Sequence, residues 1–173
     1  MRAERILDGG AWDGGLDLGN AYGNGTTLAA GSLALIAAGR IGGAPGLTRT
    51  GSKLARSLLY TGAIVTTLKL GFDRTRPNGG AYSFPSGHSA AAFAMAPILA
   101  SELGPGGAVP AYLLASAAAL GRMEDRKHYL SDVVFGAAIG LAVGMAVARP
   151  EDDGGSAPRV SLGPGSAAVT VRF

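Results

Sequence analysis

Apolar positions along this chain gather into long runs separated by glycine, proline and charged breakers, a pattern that predicts helices laid side by side. A lead-in rich in Gly, Asp and Asn occupies residues 1–25 and reads as irregular or short helical structure at the surface. Thr26 to Gly39 is the first helical run, and Arg40 to Arg56 then reads as a Gly/Pro/Ser/Thr loop carrying four basic and no acidic residues. Leu54 to Phe72 forms a second helix, stopped ahead of Pro77 because the residue before a proline is pushed out of the α region. Ser86 to Ser101 follows Pro85, and Ala108 to Gly121 follows the breaker at 104–107. Past a charged patch of Arg122, Glu124, Asp125, Arg126 and Lys127, the run Leu130 to Val147 is almost wholly apolar.

That last run carries Gly136, Gly140 and Gly144, a four-residue spacing that lines small residues on one helix face and lets another backbone approach closely. Pro150 to Pro158 is a polar breaker, and Arg159 to Phe173 alternates like strand on both sides of Gly163-Pro164-Gly165. No internal repeat or heptad series is present. The predicted fold is therefore all-α, an up-and-down bundle of about five main helices with a small C-terminal β-hairpin.

Composition narrows this further. At 173 residues the chain is one domain's worth, with 47% hydrophobic against 16% charged residues and a mean hydropathy of +0.27, which excludes intrinsic disorder. Its 29 glycines follow no G-X-Y period, so they point to close packing and not to collagen. With no cysteine there is no disulfide, thiolate metal site or cysteine nucleophile. A net charge of +3, without any basic block, gives nucleic acid little to bind but leaves a local anion site open. The opening MRAERILDGGAWDGG has no continuous apolar stretch of the signal-peptide kind.

Three clusters hold the reactive residues. Lys69 and Arg76 lie seven apart where the second helix runs out, so both can reach one anion; a basic helix end complementing the helix dipole is the plainer alternative. Pro85-Ser86-Gly87-His88 opens the third helix, where free backbone N–H groups and the Ser86 hydroxyl suit an anion; the bland reading is an ordinary serine N-cap with an incidental histidine. Arg122, His128 and Asp132 span the junction before the last helix. At i, i+4 the carboxylate can accept from one imidazole nitrogen and leave the other free, although a surface salt-bridge patch explains the same residues. An alternating bundle brings all three clusters to one end, which makes a site for a phosphoryl dianion without a metal-ligand set.

Taken in order, K-x6-R-P, P-S-G-H and R-x5-H-x3-D resemble the signature of the type 2 phosphatidic acid phosphatase superfamily, which also includes bacterial nonspecific acid phosphatases and vanadium haloperoxidases; ten specified positions match. The resemblance covers about residues 54–147, within a helical domain expected over 1–149, with 150–173 as linker and hairpin. It implies that His128 attacks phosphorus to give a phosphohistidine, that Asp132 orients it and that His88 protonates the leaving oxygen. Lys69, Arg76, Ser86, Gly87 and Arg122 would cradle the phosphate, with no cofactor and no metal. One departure stands out: Gly121 precedes Arg122 where the family usually has serine, so one small polar contact is missing.

The implied activity is metal-independent hydrolysis of phosphate monoesters or diphosphates, lipid phosphates foremost. A vanadate-dependent haloperoxidase and a non-catalytic phosphate-headgroup binder are the rivals. The expected partner is a phosphorylated small molecule or lipid, with a membrane surface or its interior as a second contact and no nucleic acid. The helical runs, at about 21–27 Å, fall slightly short of a ~30 Å hydrocarbon core, which favours a soluble or peripheral envelope protein over an integral one. The basic segment 40–56 lies opposite the site, so for a bundle that spans a membrane the positive-inside rule puts catalysis on the outer face, and an extracytoplasmic site is expected in either case.

Overall fold

The computed structural model describes residues 13–149 and the segments 159–163 and 166–170; residues 1–12, Trp12 included, and the 150–158 breaker lie outside the described residues. Six helices follow one another: α1 (Asp13–Tyr22), α2 (Gly25–Ile41), α3 (Pro45–Phe72), α4 (Gly87–Leu103), α5 (Pro105–Glu124) and α6 (Leu130–Ala148). The extra helix, α1, lies in the expected lead-in. It is not wholly at the surface, since it packs on α5 with Gly19 buried against the backbone of Ala117 and Ala118.

α4 is the central helix, with α6, α5 and α3 packed around it. Its Ala90, Ala92, Ala94, Ala96 and Ile98 are fully buried, as expected of a helix that is apolar on every side. The glycine stripe of α6 is what brings α6 onto α4. A Cβ on Gly136 would lie 2.5 Å from the Ser86 carbonyl oxygen and one on Gly144 2.5 Å from that of Ala94, while Gly140 meets Ala90 in the same way. The two helices therefore run parallel in matched four-residue steps, and the α4 N-terminus is held level with the start of α6. Gly140→Ala forces the helices apart, and we expect a net loss of about 1–3 kcal/mol, read as a lowered thermal midpoint. An unchanged midpoint would mean the contact can relax at no cost.

The loop expected over Arg40 to Arg56 is mostly helix. Only residues 42–44 connect α2 to α3, and Pro45 opens α3 at its first turn, where a proline's missing N–H is harmless. Tertiary contacts override the poor helix propensity of the Gly/Ser/Thr composition. Gly39 lies against the backbone of Thr48, and Gly51 against Ser32 and Ile36. Buried Lys53 donates to Glu102 at 2.7 Å, tying α3 to the end of α4. That bond holds the Glu102 carboxyl below the usual carboxylate range. The C-terminal hairpin is not a supported part of the fold: Arg159–Gly163 and Ser166–Thr170 pair with each other, and an isolated two-stranded ribbon is marginal in water. The architecture is all-α.

Candidate active site

The end of α3, the start of α4 and the α5–α6 junction meet at one end of the bundle. α3 finishes with Asp73 in the left-handed region (φ 35°), which turns the chain back toward α4. A β-turn over Arg76–Gly79 follows, with Pro77 at its second position, where its fixed φ fits. Tyr82 is also left-handed (φ 58°), and its carbonyl accepts from Lys69 Nζ at 2.6 Å. The Ser83 N–H donates to the Arg74 carbonyl at 2.7 Å, so the loop is a closed backbone structure that leads straight into Ser86, the N-cap of α4.

Ser86 is fully buried; its hydroxyl oxygen accepts from the Ser89 N–H at 3.4 Å, and its own N–H donates to the Asp132 carbonyl at 2.9 Å. Gly87 and His88 form the first turn of α4, where N–H groups lack intrahelical partners. At the other junction the Arg122 carbonyl accepts from both the Lys127 and the His128 N–H, which fixes the third motif's arginine and histidine backbone to backbone.

His128 is buried, and its Nδ1 lies 2.6 Å from the Ser83 carbonyl oxygen. A carbonyl only accepts, so Nδ1 carries the proton and Nε2 keeps a lone pair. This corrects the expected pairing with Asp132, whose Oδ2 is 3.8 Å from Nδ1 and outside hydrogen-bond range. The reason is local: His128 precedes α6 and Asp132 sits in its first turn, so the two do not share a helix face. Asp132, fully buried, is held instead by Ser83 Oγ (2.5 Å), the Tyr129 N–H (2.9 Å) and Arg74 Nη1 (2.6 Å). Arg74 also stacks 4.2 Å from the centre of the Tyr129 ring.

Ser83 and Arg74 are the residues that the motif spacing missed. Arg74 hides inside K-x6-R-P, and Ser83 acts on the histidine through its backbone carbonyl, which leaves no mark in a sequence. The missing serine at 121 is also accounted for. A Cβ on Gly121 would lie 2.9 Å from the Asn20 side-chain nitrogen, so an α1 amide occupies that space.

The three expected cations converge electrically. Burial, and then the positive charges of Lys69, Arg122 and Arg76, push His128 down to about 4, against a raising effect of its bond to Ser83. His88 is pushed to about 4 by burial and by Arg122, Lys127 and Arg76. Burial and Arg76 lower Lys69 to about 8. Arg76 Nε and Arg122 Nε are buried donors without an acceptor among the described residues. An arrangement of clustered cations, exposed helix N–H groups and a free imidazole nitrogen suits a phosphoryl dianion. A cavity of about 590 Å³ opens from Lys69, Gly87 and His88 and runs between α2, α3 and α4.

Comparisons with known proteins agree with this geometry. Over 94 residues the chain is 40% identical to the lipid A 1-phosphatase of Porphyromonas gingivalis, a match that takes in 52% of this chain and 21% of that protein. The chain thus spans about a fifth of that relative's length. No solved structure matches. Residues 51–152, more than half of the chain and all three clusters, match the PAP2 superfamily, and the chain belongs to that family.

Proposed function

We propose that this protein is a phosphatase of lipid phosphates that works through a phosphohistidine on His128. The observation that carries the reading is the 2.6 Å contact of His128 Nδ1 with the Ser83 carbonyl oxygen, which puts the proton on Nδ1 and leaves a lone pair on Nε2, in a ring that lies within the field of Lys69, Arg122 and Arg76. Nε2 attacks phosphorus, and the bond to the ester oxygen breaks as His88, in its imidazolium form, gives that oxygen a proton. Neutral His88 then takes a proton from water as the water attacks the phosphohistidine, the P–N bond breaks, and the phosphate leaves as H₂PO₄⁻ with the proton from His88, which restores both neutral imidazoles. Because His88 lies near 4 in the free protein, its proton arrives with the substrate: a monoester monoanion beside neutral imidazole has the same proton count as a dianion beside imidazolium. Lys69, Arg76, Arg122 and the Gly87 N–H meet the charge on the equatorial oxygens. Asp132 acts at one remove, its charge close to His128 and its carboxylate fixed by Ser83 and Arg74.

Membrane association in the cell envelope, with the site outside the cytoplasm, completes the proposal. α6 is long and apolar enough to cross a membrane, with mean hydropathy 2.0, and only 28% of it is buried within the bundle. Around the site, Phe72, Tyr82, Tyr129 and Phe135 are all exposed, a collar of the kind that sits at headgroup level. Arg40, Arg49 and Arg149 lie exposed at the far end, the distribution expected if that end faces the cytoplasm.

The direct test is inorganic phosphate release from p-nitrophenyl phosphate, phosphatidic acid and a polyprenyl diphosphate in the presence of EDTA. We expect release that EDTA leaves unchanged; loss with EDTA and recovery with Mg²⁺ would reject the mechanism.

A pH profile tests the roles separately. His128 must be neutral to attack, so kcat/KM should rise through about pH 4; it should then fall in two stages, first above about 6 as the monoester loses the proton it brings to His88, and further by about pH 8 as Lys69 loses the charge that holds phosphate. The two histidines alone, both near 4, do not set the alkaline limb. Lys69→Arg, whose guanidinium stays protonated, should lower the plateau but remove the limb near 8. An alkaline limb unmoved by that change would take Lys69 out of the cradle.

A further inference from the structure

The cavity that opens at His88 is lined, beyond its Lys69–His88 end, by Ala29, Leu33, Leu58, Leu59, Gly62 and Val65, with hydroxyls only from Thr61 and Thr66. Leu33 and Leu59, 62% and 69% exposed, stand at its mouth with no helix covering them among the described residues. Along α3 the lining reaches from Lys69 back to Ala55, fourteen residues or about 21 Å of helix.

In-line phosphoryl transfer puts the attacking and leaving atoms on opposite sides of phosphorus. His128, the attacking residue, does not line this cavity, whereas His88, which protonates the leaving oxygen, does. We infer that the trough between α2, α3 and α4 is the leaving-group subsite, and that its occupant is a hydrocarbon chain joined to the phosphate through the ester oxygen. A sugar or nucleoside leaving group would lose its water against aliphatic walls with few hydroxyls to replace it, whereas a chain gains from each methylene it buries. The inference rests on the phosphatase reading, and it adds a preference for phosphates of long-chain alcohols over those of polar ones.

Gly62 gives the test. A Cβ there meets nothing within 4 Å, so a side chain grows into the trough without disturbing packing, and leucine or phenylalanine in place of a mid-helix glycine favours the helix. Gly62 is also seven residues, about 10 Å, from Lys69, so a short leaving group does not reach it. With linear alkyl phosphates from butyl to dodecyl, kept below micelle formation, the wild-type kcat/KM should rise about two- to fourfold per methylene. Gly62→Leu and, more completely, Gly62→Phe should flatten that rise beyond the shorter chains while p-nitrophenyl phosphate turnover stays within about threefold, which also shows that the variants fold. A flat wild-type series alongside good p-nitrophenyl phosphate turnover overturns the subsite and leaves the phosphatase standing. A rise that persists in Gly62→Phe places the chain elsewhere and overturns it too. No release from any substrate removes the phosphatase reading, and the subsite with it.

Discussion

Replacing His128 by alanine should abolish phosphate release, lowering kcat by about 10⁴- to 10⁶-fold, the scale seen when an attacking residue is removed and the binding groups remain. The cradle of Lys69, Arg76, Arg122 and the α4 N-terminus is untouched by the change, so phosphate or vanadate should still bind. Wild-type enzyme quenched during turnover of a radiolabelled phosphate should carry an acid-labile, base-stable label, and the variant none. His128→Gln serves as a second variant that leaves a polar group near the Ser83 carbonyl. A variant that keeps a tenth of the wild-type rate sinks the attacking role; wild-type turnover without any label points to direct attack by water. Wild-type protein that binds phosphate and never turns it over is a non-catalytic phosphate-headgroup binder. Bromide oxidation after vanadate loading would instead identify the haloperoxidase.

The same histidine shows where sequence reasoning reached and where it stopped. The three motifs bring Lys69, Arg76, Ser86, His88, Arg122, His128 and Asp132 to one end of the bundle, because each lies near a helix end and an alternating bundle gathers alternate ends. Connectivity alone carries that step. Which atom restrains His128 depends on where α6 begins, and helix ends are the part of a pattern least fixed by composition. Tyr129 is the N-cap, so the i, i+4 spacing of His128 and Asp132 straddles a boundary and the carboxylate is drawn to Ser83, Arg74 and the Tyr129 N–H. The helical stretch Pro45–Arg56 was hidden for another reason. Its residues are weak helix formers in isolation, and what holds them, Gly39 on Thr48, Gly51 on Ser32 and Lys53 on Glu102, is long-range. By contrast Gly136, Gly140 and Gly144 were legible as a packing face, since that geometry is written in one helix's own period.

Arg76→Gln should cost about 10³-fold or more in kcat/KM while leaving the unliganded protein as stable as the wild type or more so. Arginines that meet the charge of a transferring phosphoryl group contribute about 10³- to 10⁵-fold. Arg76 is suited to this because its Nε is a buried donor with no acceptor in the described protein, in a cluster where its charge lowers the proton affinity of Lys69, Arg122 and both histidines. Like charges held together strain the free protein, relieved only in part by Asp125, 3.7 Å from Arg122, and by Asp132, and a site shaped for the transition state accepts that cost. Gln keeps most of the stem over Gly80, which lies against Arg76 Cγ and Cδ, and removes the charge. Vanadate separates binding from folding. It should raise the wild-type thermal midpoint as it fills the cradle, in proportion to ln(1 + [L]/Kd), and raise that of Arg76→Gln far less. A variant that is markedly less stable without ligand, yet gains as much from vanadate as the wild type, would make Arg76 a structural residue of the loop and not part of the phosphate site.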